Sequence, residues 1–285
     1  MPRVSIGVPV YNGASLIYEA LDCIASQSFN DIEVIISDNG STDGTSEICA
    51  DFAAKDSRFK HIRHDTTMDI MLNYAFVRDQ AKSPLFMWRA YDDLSSRNYI
   101  EELVKVFDQA PGTLLAVGNV SQESDGKKRN KMYSYNVRDE RLRIWRILSQ
   151  LFYGHASWFY GLWCHKACVE VTTKIHSFYP DSWAADHLTL FYCALRDGIR
   201  GTKSTTFRQQ IIAASRGPDS RFRPSYMEIS DRKKRFSALC RNAINEANLN
   251  GSEKKILQKA LPLYVNNRCH GLKRTWQARL RFNKG

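Results

Sequence analysis

The sequence contains no hydrophobic run that approaches the length of a membrane-spanning helix. Such a helix needs about 20 consecutive, mostly apolar residues, whereas the hydrophobic 43% of these 285 residues is interrupted throughout by polar side chains. The first ten residues, MPRVSIGVPV, also lack the apolar core and the small-residue cleavage site of a signal peptide. We therefore expect a cytoplasmic protein that can also bind peripherally to the inner face of the cell membrane.

Cysteine pairs with the spacing of a metal site are also missing. The chain has seven cysteines, an odd number, and only Cys164 and Cys168 lie close together in the sequence. Their spacing is not that of a pair of zinc ligands. We interpret the cysteines as reduced thiols, which are usual in the cytoplasm.

Acidic residues are absent from the last part of the chain. Residues 254–285 contain nine Lys or Arg and no Asp or Glu, so much of the formal net charge of +11 lies there. Such a segment binds nucleic acid, anionic lipid or a phosphorylated substrate, or it forms a solvated helical face. It also holds apolar side chains suited to a membrane interface, namely Leu261, Leu263, Trp276, Leu280 and Phe282.

Signatures of nucleic-acid recognition do not accompany this basic segment. The sequence shows no helix-turn-helix, zinc-finger or aromatic RNA-binding pattern. We therefore expect an anionic membrane surface as the partner of the segment, and no nucleic acid. A nucleic-acid-binding protein that uses the basic tail is the alternative from a different functional class.

A regular alternation of strand-like and helix-like segments is present in the first half. Alternation of this kind predicts an α/β fold with a mostly parallel, Rossmann-like central sheet flanked by helices. The last sixty residues have helical patterns and predict a helical C-terminal extension. The predicted strands of the first half are 4–10, 32–37, 59–64, 85–88 and 113–120.

Four loops follow the first four predicted strands, and ligands bind at this end of the strands in parallel sheets. The loops read VYNGA, SDNGSTDG, HDTT and RAYDD. Asp92 and Asp93 in the last loop either form a turn that caps the next helix or hold a hard divalent cation. SDNGSTDG lacks the patterns of phosphate-binding loops. Its Asp38 is suited to accept hydrogen bonds from a ligand, or else it stabilises the loop.

The segment VPVYNGASLIYEALDCIASQSFNDIEVIISDNGSTDGT, followed by LFMWRAYDDLSS, closely resembles the nucleotide-binding half of family 2 glycosyltransferases. The resemblance is strong over residues 3–108, where three motifs occur in the family's order and spacing. It is weaker over 109–215 and absent beyond. It implies the GT-A fold in three parts, which are 1–108 as the nucleotide-sugar-binding half, 109–215 as the acceptor-binding half, and 216–285 as a basic loop with a helical extension.

The resemblance implies which residues meet the nucleotide base. In the family, the segment that matches Pro9, Tyr11 and Asn12 lines the base. The acid that matches Asp38 accepts a hydrogen bond from the base, which is typically uracil. We therefore predict a donor that is a nucleoside diphosphate sugar, with uridine as the favoured nucleoside.

The resemblance also implies a metal site. The last acid of the family's Asp-x-Asp motif, here Asp93, binds the Mn²⁺ or Mg²⁺ that bridges the diphosphate, and Asp92 contacts the ribose or supports the metal. The family often has an Arg-Asn pair upstream, of which this chain keeps Asn73 and has Leu72 in the Arg place. Ala90 stands in the place of the first acid of the Asp-x-Asp motif.

The acceptor side carries the catalytic base in this family, at the start of a helix that follows the metal-binding acid. The stretch DSWAADHLTLFYCAL matches this position, with Asp186 as the predicted base and Asp181 as the rival. A carboxylate at this place also interacts favourably with the helix dipole, which is the structural alternative. In the loop 216–225, Arg216, Arg221 and Arg223 are suited to close over the diphosphate, as flexible loops do in this family, and a solvated loop explains them equally well.

The resemblance as a whole implies an inverting transfer of a sugar to a hydroxyl group. The acceptor it implies is a glycan or a lipid-linked glycan in the synthesis of surface polysaccharide. A sugar nucleotidyltransferase, which also has a crossover sheet, is a further alternative. That class has a Gly-rich, Lys- or Arg-bearing loop after the first strand, and VYNGASL does not have this composition.

Overall fold

The computed structural model describes residues 1–124, 131–136, 142–179, 182–211 and 225–269. Within these ranges the predicted alternation of strands and helices is confirmed. The strands are β1 Val4–Val10, β2 Ile32–Asp38, β3 Phe59–Arg63, β4 Leu85–Trp88, β5 Leu94–Ser95, β6 Leu115–Ser124, β7 Lys131–Tyr133, β8 Leu162–Cys164 and β9 Ile199–Ile211. The helices are α1 Ile17–Ala25, α2 Thr45–Lys55, α3 Ile70–Gln80, α4 Tyr99–Gln109, α5 Arg143–Tyr153, α6 His165–Phe178, α7 Ala185–Leu195, α8 Tyr226–Glu246 and α9 Gly251–Arg268, with a short 3₁₀ helix at Ala156–Tyr160.

The strands of the described residues form one mixed sheet whose longer ladders are parallel. Its order is β3-β2-β1-β4-β8-β6-β9-β5, and β7 pairs with the outer part of β6. β1 lies between β2 and β4 and runs parallel to both, while β8 runs antiparallel to β4 and β6. The carboxyl ends of β1, β2, β3 and β4 therefore meet at one edge of the sheet, as the sequence predicted.

The two central strands are buried on both faces. Every residue of β1 and of β2 is buried, which is expected when helices cover both sides of a parallel sheet. Helix α1 contributes Ile17, Leu21 and Ile24 to this core, and α4 contributes Ile100 and Leu103. These apolar side chains recur every three or four residues, so each helix buries one face.

The sheet extends further than the sequence predicted. The predicted fifth strand ends at residue 120, but β6 continues to Ser124 and β7 begins at Lys131. Strand β9, Ile199–Ile211, adds a long strand beyond those predicted for the first half. The reason is the long parallel pairing between β6 and β9, which pairs polar residues such as Gln122 with Gln209.

The chain forms two compact units. We call Met1–Tyr135, Ser157–Glu170 and Ile199–Ser215 the sheet unit, and the remainder, Asn136–Ala156, Val171–Gly198 and Arg216–Gly285, the helical unit. Strands β8 and β9, which lie in the predicted acceptor half, pair with β4 and β6 of the same sheet. The predicted division of the chain into three functional parts stays a prediction.

The helical unit is built around α5, α7, α8 and α9. Helices α8 and α9 both start with a capping box, in which Ser225 pairs with Glu228 and Asn250 pairs with Glu253. Aromatic rings of Phe191, Phe236 and Tyr264 pack together in its core. In the part of the chain that the structure describes, no helix combines the length and the hydropathy needed to cross a membrane.

One predicted membrane contact is wrong. Leu261, predicted as an apolar anchor for a membrane, is only 3% exposed in the core face of α9, whereas Leu263 is 58% exposed. Successive helix residues lie about 100° apart, so two leucines two positions apart face different directions. Trp276, Leu280 and Phe282 lie outside the described residues.

Candidate active site

The loops after β1 and β2 are joined to each other by hydrogen bonds. Asn12 adopts a left-handed backbone conformation with a φ of 49°. Its N–H donates to Ser41 Oγ at 2.9 Å, and its side-chain Oδ1 accepts the N–H of Thr42 at 2.9 Å. The N–H of Gly13 donates to Thr45 Oγ1 at 2.9 Å. This reciprocal pairing holds the two loops in one arrangement at the edge of the sheet.

The residues predicted to line the nucleotide base start within β1 and end at this junction. Pro9 is buried within β1, opposite Ser37 of β2. The side chain of Tyr11 is 47% exposed at the end of the strand. Tyr11 therefore offers an accessible aromatic face, and Pro9 shapes the strand end beneath it.

Asp38 ends β2 and is fully buried. Its Oδ1 accepts the N–H of Ser41 at 2.9 Å, and its Oδ2 accepts the hydroxyl of Ser46. The Nε of Arg63 lies 3.7 Å from Oδ2. Burial by itself raises the pKa of Asp38, but the hydrogen bonds from Ser41 and Ser46 and the nearby His61 outweigh it, so the pKa lies below its ordinary value. The ionised carboxylate thus organises the loop, and a contact with the base stays a prediction.

Asn73 lies on α3 and is 3% exposed. Its Nδ2 donates to the carbonyl oxygen of Ser37 at 3.2 Å, and its Oδ1 accepts the hydroxyl of the same residue. His64 Nε2 lies 2.8 Å from that hydroxyl. In this structure the Asn73 amide joins α3 to β2 by hydrogen bonds. Its predicted contact with the nucleotide stays a prediction.

Asp92 and Asp93 follow β4 at the same edge of the sheet, and Asp93 is only 4% exposed. Its Oδ1 accepts the N–H of Gln210 at 2.9 Å. Burial, and next the charge of Asp92, raise the pKa of Asp93 to about 7, against the smaller opposing effects of Gln210 and Arg89. The ionised form of this carboxyl is therefore disfavoured until a positive charge arrives.

Arg89 lies behind the carboxylate pair and is 1% exposed. Its Nη2 donates to Ser95 Oγ at 3.0 Å. Its guanidinium lies over the rings of Tyr99 and Phe207, at 5.5 and 5.3 Å from their centroids. A cation over aromatic faces is stabilised by their quadrupoles, so Arg89 is held in the interior.

The loop after β4 also contacts the loop after β1. A Cβ added to Gly13 would come within 2.6 Å of the ring of Tyr91, which is closer than carbon atoms approach in proteins. Only glycine leaves this space open, so the ring of Tyr91 packs directly on the β1 loop. The loops after β1, β2 and β4 therefore form one cluster of residues.

The carboxylate pair fits a divalent cation that is shared with a ligand. Among the described residues, no three His, Cys, Asp or Glu side chains come together as a complete protein cage for a metal. Mg²⁺ is typically bound by one or two carboxylates together with phosphate oxygens of a substrate. Asp93, whose ionised form is disfavoured by burial and by Asp92, has the chemistry of such a ligand.

Asp186 lies in the helical unit, in the first turn of α7. Its Oδ1 accepts the N–H of His187 at 2.7 Å, and the N-cap of the helix is Ala184. Tyr264 Oη donates to the carbonyl oxygen of His187 at 2.8 Å. Burial lowers the pKa of the neighbouring Arg268, while Tyr264 and the charge of Asp186 act in the opposite direction. Asp186 as the base stays a prediction, and Asp181 and residues 216–224 lie outside the described part of the chain.

Three residues of the site were missed by the sequence reasoning. Arg63 pairs with Asp38 in the register of β2 and β3, so it places a cation beside the predicted base-binding acid. Tyr91 and Gln210 contact the β1 loop and Asp93, respectively. Arg63 was detectable, since it stands at the end of a predicted parallel strand. The contact of Gln210 with Asp93 was not predictable, because it is made by the backbone N–H of Gln210 and depends on the approach of a distant segment.

Comparison with known proteins supports the resemblance. The sequence matches the family model described as Glycosyl transferase family 2 over residues 5–162, more than half of the chain. An uncharacterized glycosyltransferase of Rickettsia typhi is 33% identical over 108 residues, 38% of this chain and 33% of its own length. Glycosyltransferase GlyG of Streptococcus pneumoniae is 29% identical over 125 residues, 43% of this chain and 41% of its own. The matches thus span less than half the length of these curated relatives.

Solved structures share the fold. S. aureus TarS 1–349 in complex with UDP-GlcNAc has a TM-score of 0.67 at 16% identity, over 93% of this chain and 73% of that one. The mannosyltransferase PcManGT from Pyrobaculum calidifontis, in complex with GDP-Man and Mn²⁺, has a TM-score of 0.57 at 19% identity, over 100% of this chain and 76% of that one. At these identities the likeness establishes the fold alone, which confirms the predicted α/β architecture. With the match over residues 5–162, the chain belongs to glycosyl transferase family 2.

Proposed function

We propose that the protein is an inverting glycosyltransferase that moves a sugar from a UDP-linked donor to a hydroxyl group of a glycan or lipid-linked glycan. The observation that carries this proposal is the carboxylate pair of Asp92 and the buried Asp93 beside the interlocked loops after β1 and β2. In parallel sheets this edge binds ligands. The loops provide a polar, preformed surface, and the pair provides a place for a cation and a diphosphate.

The uridine preference rests on Asp38 and on the fold. Asp38 is ionised and held by Ser41 and Ser46, and each carboxylate oxygen has more than one lone pair for accepting hydrogen bonds. Its remaining capacity suits the imide N–H of uracil, with the ring of Tyr11 as a neighbouring aromatic face. Because Asp38 is fully buried, this contact requires the loop of Ser41 and Ser46 to move when the base binds. TarS, which shares the fold, was solved with UDP-GlcNAc, so a uridine nucleotide is the first donor to test.

The chain's own residues prepare the site for the diphosphate. Asp93 would hold a divalent cation, Mn²⁺ or Mg²⁺, with Asp92 beside it. When bound, such an ion neutralises charge on the departing diphosphate. PcManGT, another structural neighbour, was solved with Mn²⁺. Gln210 orients Asp93 through its backbone N–H, and Arg89 fixes the segment that precedes the pair.

Asp186 is the general base of the proposed reaction. Its carboxylate takes the proton of the acceptor hydroxyl as the hydroxyl oxygen forms a bond to the anomeric carbon. The bond from that carbon to the diphosphate oxygen breaks in the same step, with the nucleoside diphosphate as leaving group. Attack from the face opposite to the leaving group inverts the anomeric configuration. An acceptor of surface polysaccharide synthesis places the protein at a membrane, and the basic C-terminal segment favours this.

Thermal unfolding with a panel of nucleotide sugars and Mn²⁺ tests the proposal. We expect UDP-sugars to raise the melting temperature, since a ligand at a hundred times its Kd adds about 2.7 kcal/mol. The Asp38→Asn variant, which keeps an oxygen to accept the Ser41 N–H, should lose this response. Stabilisation by GDP-sugars alone would reject the uridine assignment, and no response to any nucleotide sugar would reject the transferase.

A further inference from the structure

A cationic groove runs along the helical unit between α8 and α9. It has a volume of about 530 Å³. One stripe of α8 lines it, because its residues recur every three or four positions and so share a helix face. The polar side chains of this stripe are Tyr226, Ser230, Lys233, Lys234, Ser237 and Arg241. We call this feature the cationic groove.

The groove offers three positive charges and hydroxyl groups, and its lining contains no carboxylate. Lys233 Nζ donates to Asn266 Oδ1 of α9 at 3.1 Å, and burial holds the pKa of Lys233 below its ordinary value. Lys234 has one acidic neighbour, Asp231, at 3.8 Å. Arg241 has no ion-pair partner within the described part of the chain. Ammonium, guanidinium and hydroxyl donors in one groove match the oxygens of a phosphate group.

An apolar groove lies on the other side of α9. It has a volume of about 590 Å³ and is lined mainly by α5, with Ala260 and Leu263 from α9. Trp145, Tyr153 and Leu263 are all more than half exposed. Large exposed apolar groups that form one patch mark an interaction surface.

The outward face of α9 carries both kinds of side chain between the two grooves. Lys255 and Lys259 are exposed and lie one turn apart, so they form a row of positive charge. Ile256 and Leu263, which are 40% and 58% exposed, lie beside that row. Cations next to exposed apolar and aromatic side chains are typical of a helix that lies in a membrane interface. A nucleic acid would meet the cations but would leave the apolar groove uncovered.

We propose that the cationic groove binds the phosphate group of an anionic phospholipid, with the apolar groove of α5 and α9 lying against the adjoining lipid. This inference deepens the membrane part of the proposed function. It places the contact on α8 and on α9, which contains the described part of the basic segment. The proposed membrane binding depends on lipid charge and on apolar surface together. It does not depend on donor binding at Asp38 and Asp93.

Co-sedimentation of the full chain with vesicles tests the proposal. Vesicles of phosphatidylcholine alone are compared with vesicles that also contain phosphatidylglycerol. The groove variant carries Lys233→Gln, Lys234→Gln and Arg241→Gln. The control carries Lys55→Gln, Lys82→Gln and Lys203→Gln, which removes the same charge from exposed positions of the sheet unit. We expect the groove variant to bind the anionic vesicles about a hundredfold more weakly, since each cation near such a surface contributes about fivefold. The control should bind like wild type.

A second arm tests the apolar part and the source of the phosphate. Trp145→Ala with Leu263→Ala should weaken vesicle binding even at high salt, because apolar burial is not screened by ions. The proposal is overturned if wild type ignores anionic vesicles, or if the groove and control variants lose equal affinity. It is also overturned if millimolar inorganic phosphate displaces the protein fully, or if random duplex DNA binds more tightly than vesicles through the same three cations.

Donor binding separates this proposal from the proposed function. The groove variant should keep the stabilisation by UDP-sugar and Mn²⁺ that wild type shows. Normal donor binding together with absent vesicle binding in wild type would reject the lipid site and leave the transferase standing. Vesicle binding without a response to any nucleotide sugar would support the lipid site and reject the transferase.

Discussion

Replacement of Asp93 by Asn separates the stability of the site from its function. The variant removes one negative charge, and it keeps the side-chain shape and an oxygen that accepts the Gln210 N–H. Without metal, we expect Asp93→Asn to be more stable than wild type above pH 7. With Mn²⁺ and UDP, we expect the order to reverse.

The magnitude follows from the environment of the carboxyl. Burial and the charge of Asp92 raise the pKa of Asp93 from its ordinary 3.8 to about 7. The folded state therefore binds more protons than the unfolded state between these two values, and stability falls as the pH rises through this window. Above it, the ionised carboxylate costs at most about 4.5 kcal/mol, at about 1.4 kcal/mol per pH unit. The amide has a desolvation cost of its own, so we expect a gain of about 2 kcal/mol.

Ligand binding acts in the opposite direction. Wild type gains about 2.7 kcal/mol from a ligand at a hundred times its Kd, whereas the variant has lost the proposed metal ligand and should gain little. Denaturant unfolding gives the free energies across the pH range from 3.8 to about 7 and above, with and without Mn²⁺ and UDP. The difference in unfolding free energy between Asp93→Asn and wild type should shrink as the pH falls towards 3.8.

An exposed aspartate serves as the control. The side chain of Asp51 on α2 is 75% exposed, so Asp51→Asn should change neither the stability above pH 7 nor the response to ligand. Equal unfolding free energies for wild type and Asp93→Asn above pH 7 without metal would refute the account of the carboxylate pair. Equal stabilisation of both by Mn²⁺ and UDP would refute Asp93 as the metal ligand.

Further predictions concern the base, acid stability and the loop cluster. Asp186→Asn should lower kcat by about 10²–10⁴-fold with donor binding unchanged, and near-normal turnover in a transfer assay would contradict this. Burial, with the charges of neighbouring cationic groups, lowers the pKa of His155 from 6.5 to about 4, so stability is lost as the pH falls through this window. His155→Gln should flatten that loss in thermal unfolding, and an unchanged slope would disprove it. Gly13→Ala should cost about 1–3 kcal/mol by its clash with the Tyr91 ring. Gly251→Ala, whose added Cβ meets no atom within 4 Å, is the matched control, and equal effects in urea unfolding would contradict the clash.

Much of the fold was predictable because its signals are local. Strands β1 and β4 have the predicted bounds, since continuous apolar runs flanked by turn residues mark buried strands. The order of strands and helices then placed the loops that contain Asp38 and Asp93 at one edge of the sheet. The residue types at these places predicted a polar site with a cation.

The local state of each site residue was not predictable. Asp38 and Asn73 were chosen for ligand contacts, yet in the structure their side chains bond to Ser41, Ser46 and Ser37. A motif records which residue types occur together, and it does not record how many of their hydrogen bonds the protein itself uses. Burial of these polar groups requires such partners.

By itself, the sequence determined the class of the fold, the edge of the sheet that bears the site and the presence of a carboxylate pair there. Tertiary structure alone decided that Asn12 bonds to Ser41 across 29 residues and that Asp93 meets Gln210 across 117. It also decided which face of α9 is buried, and so separated Leu261 from Leu263. The physical reason is that periodicity and turn chemistry act between neighbours in the chain. Strand register and helix packing instead depend on the fit of side chains from distant segments, which leaves no repeating trace in either segment.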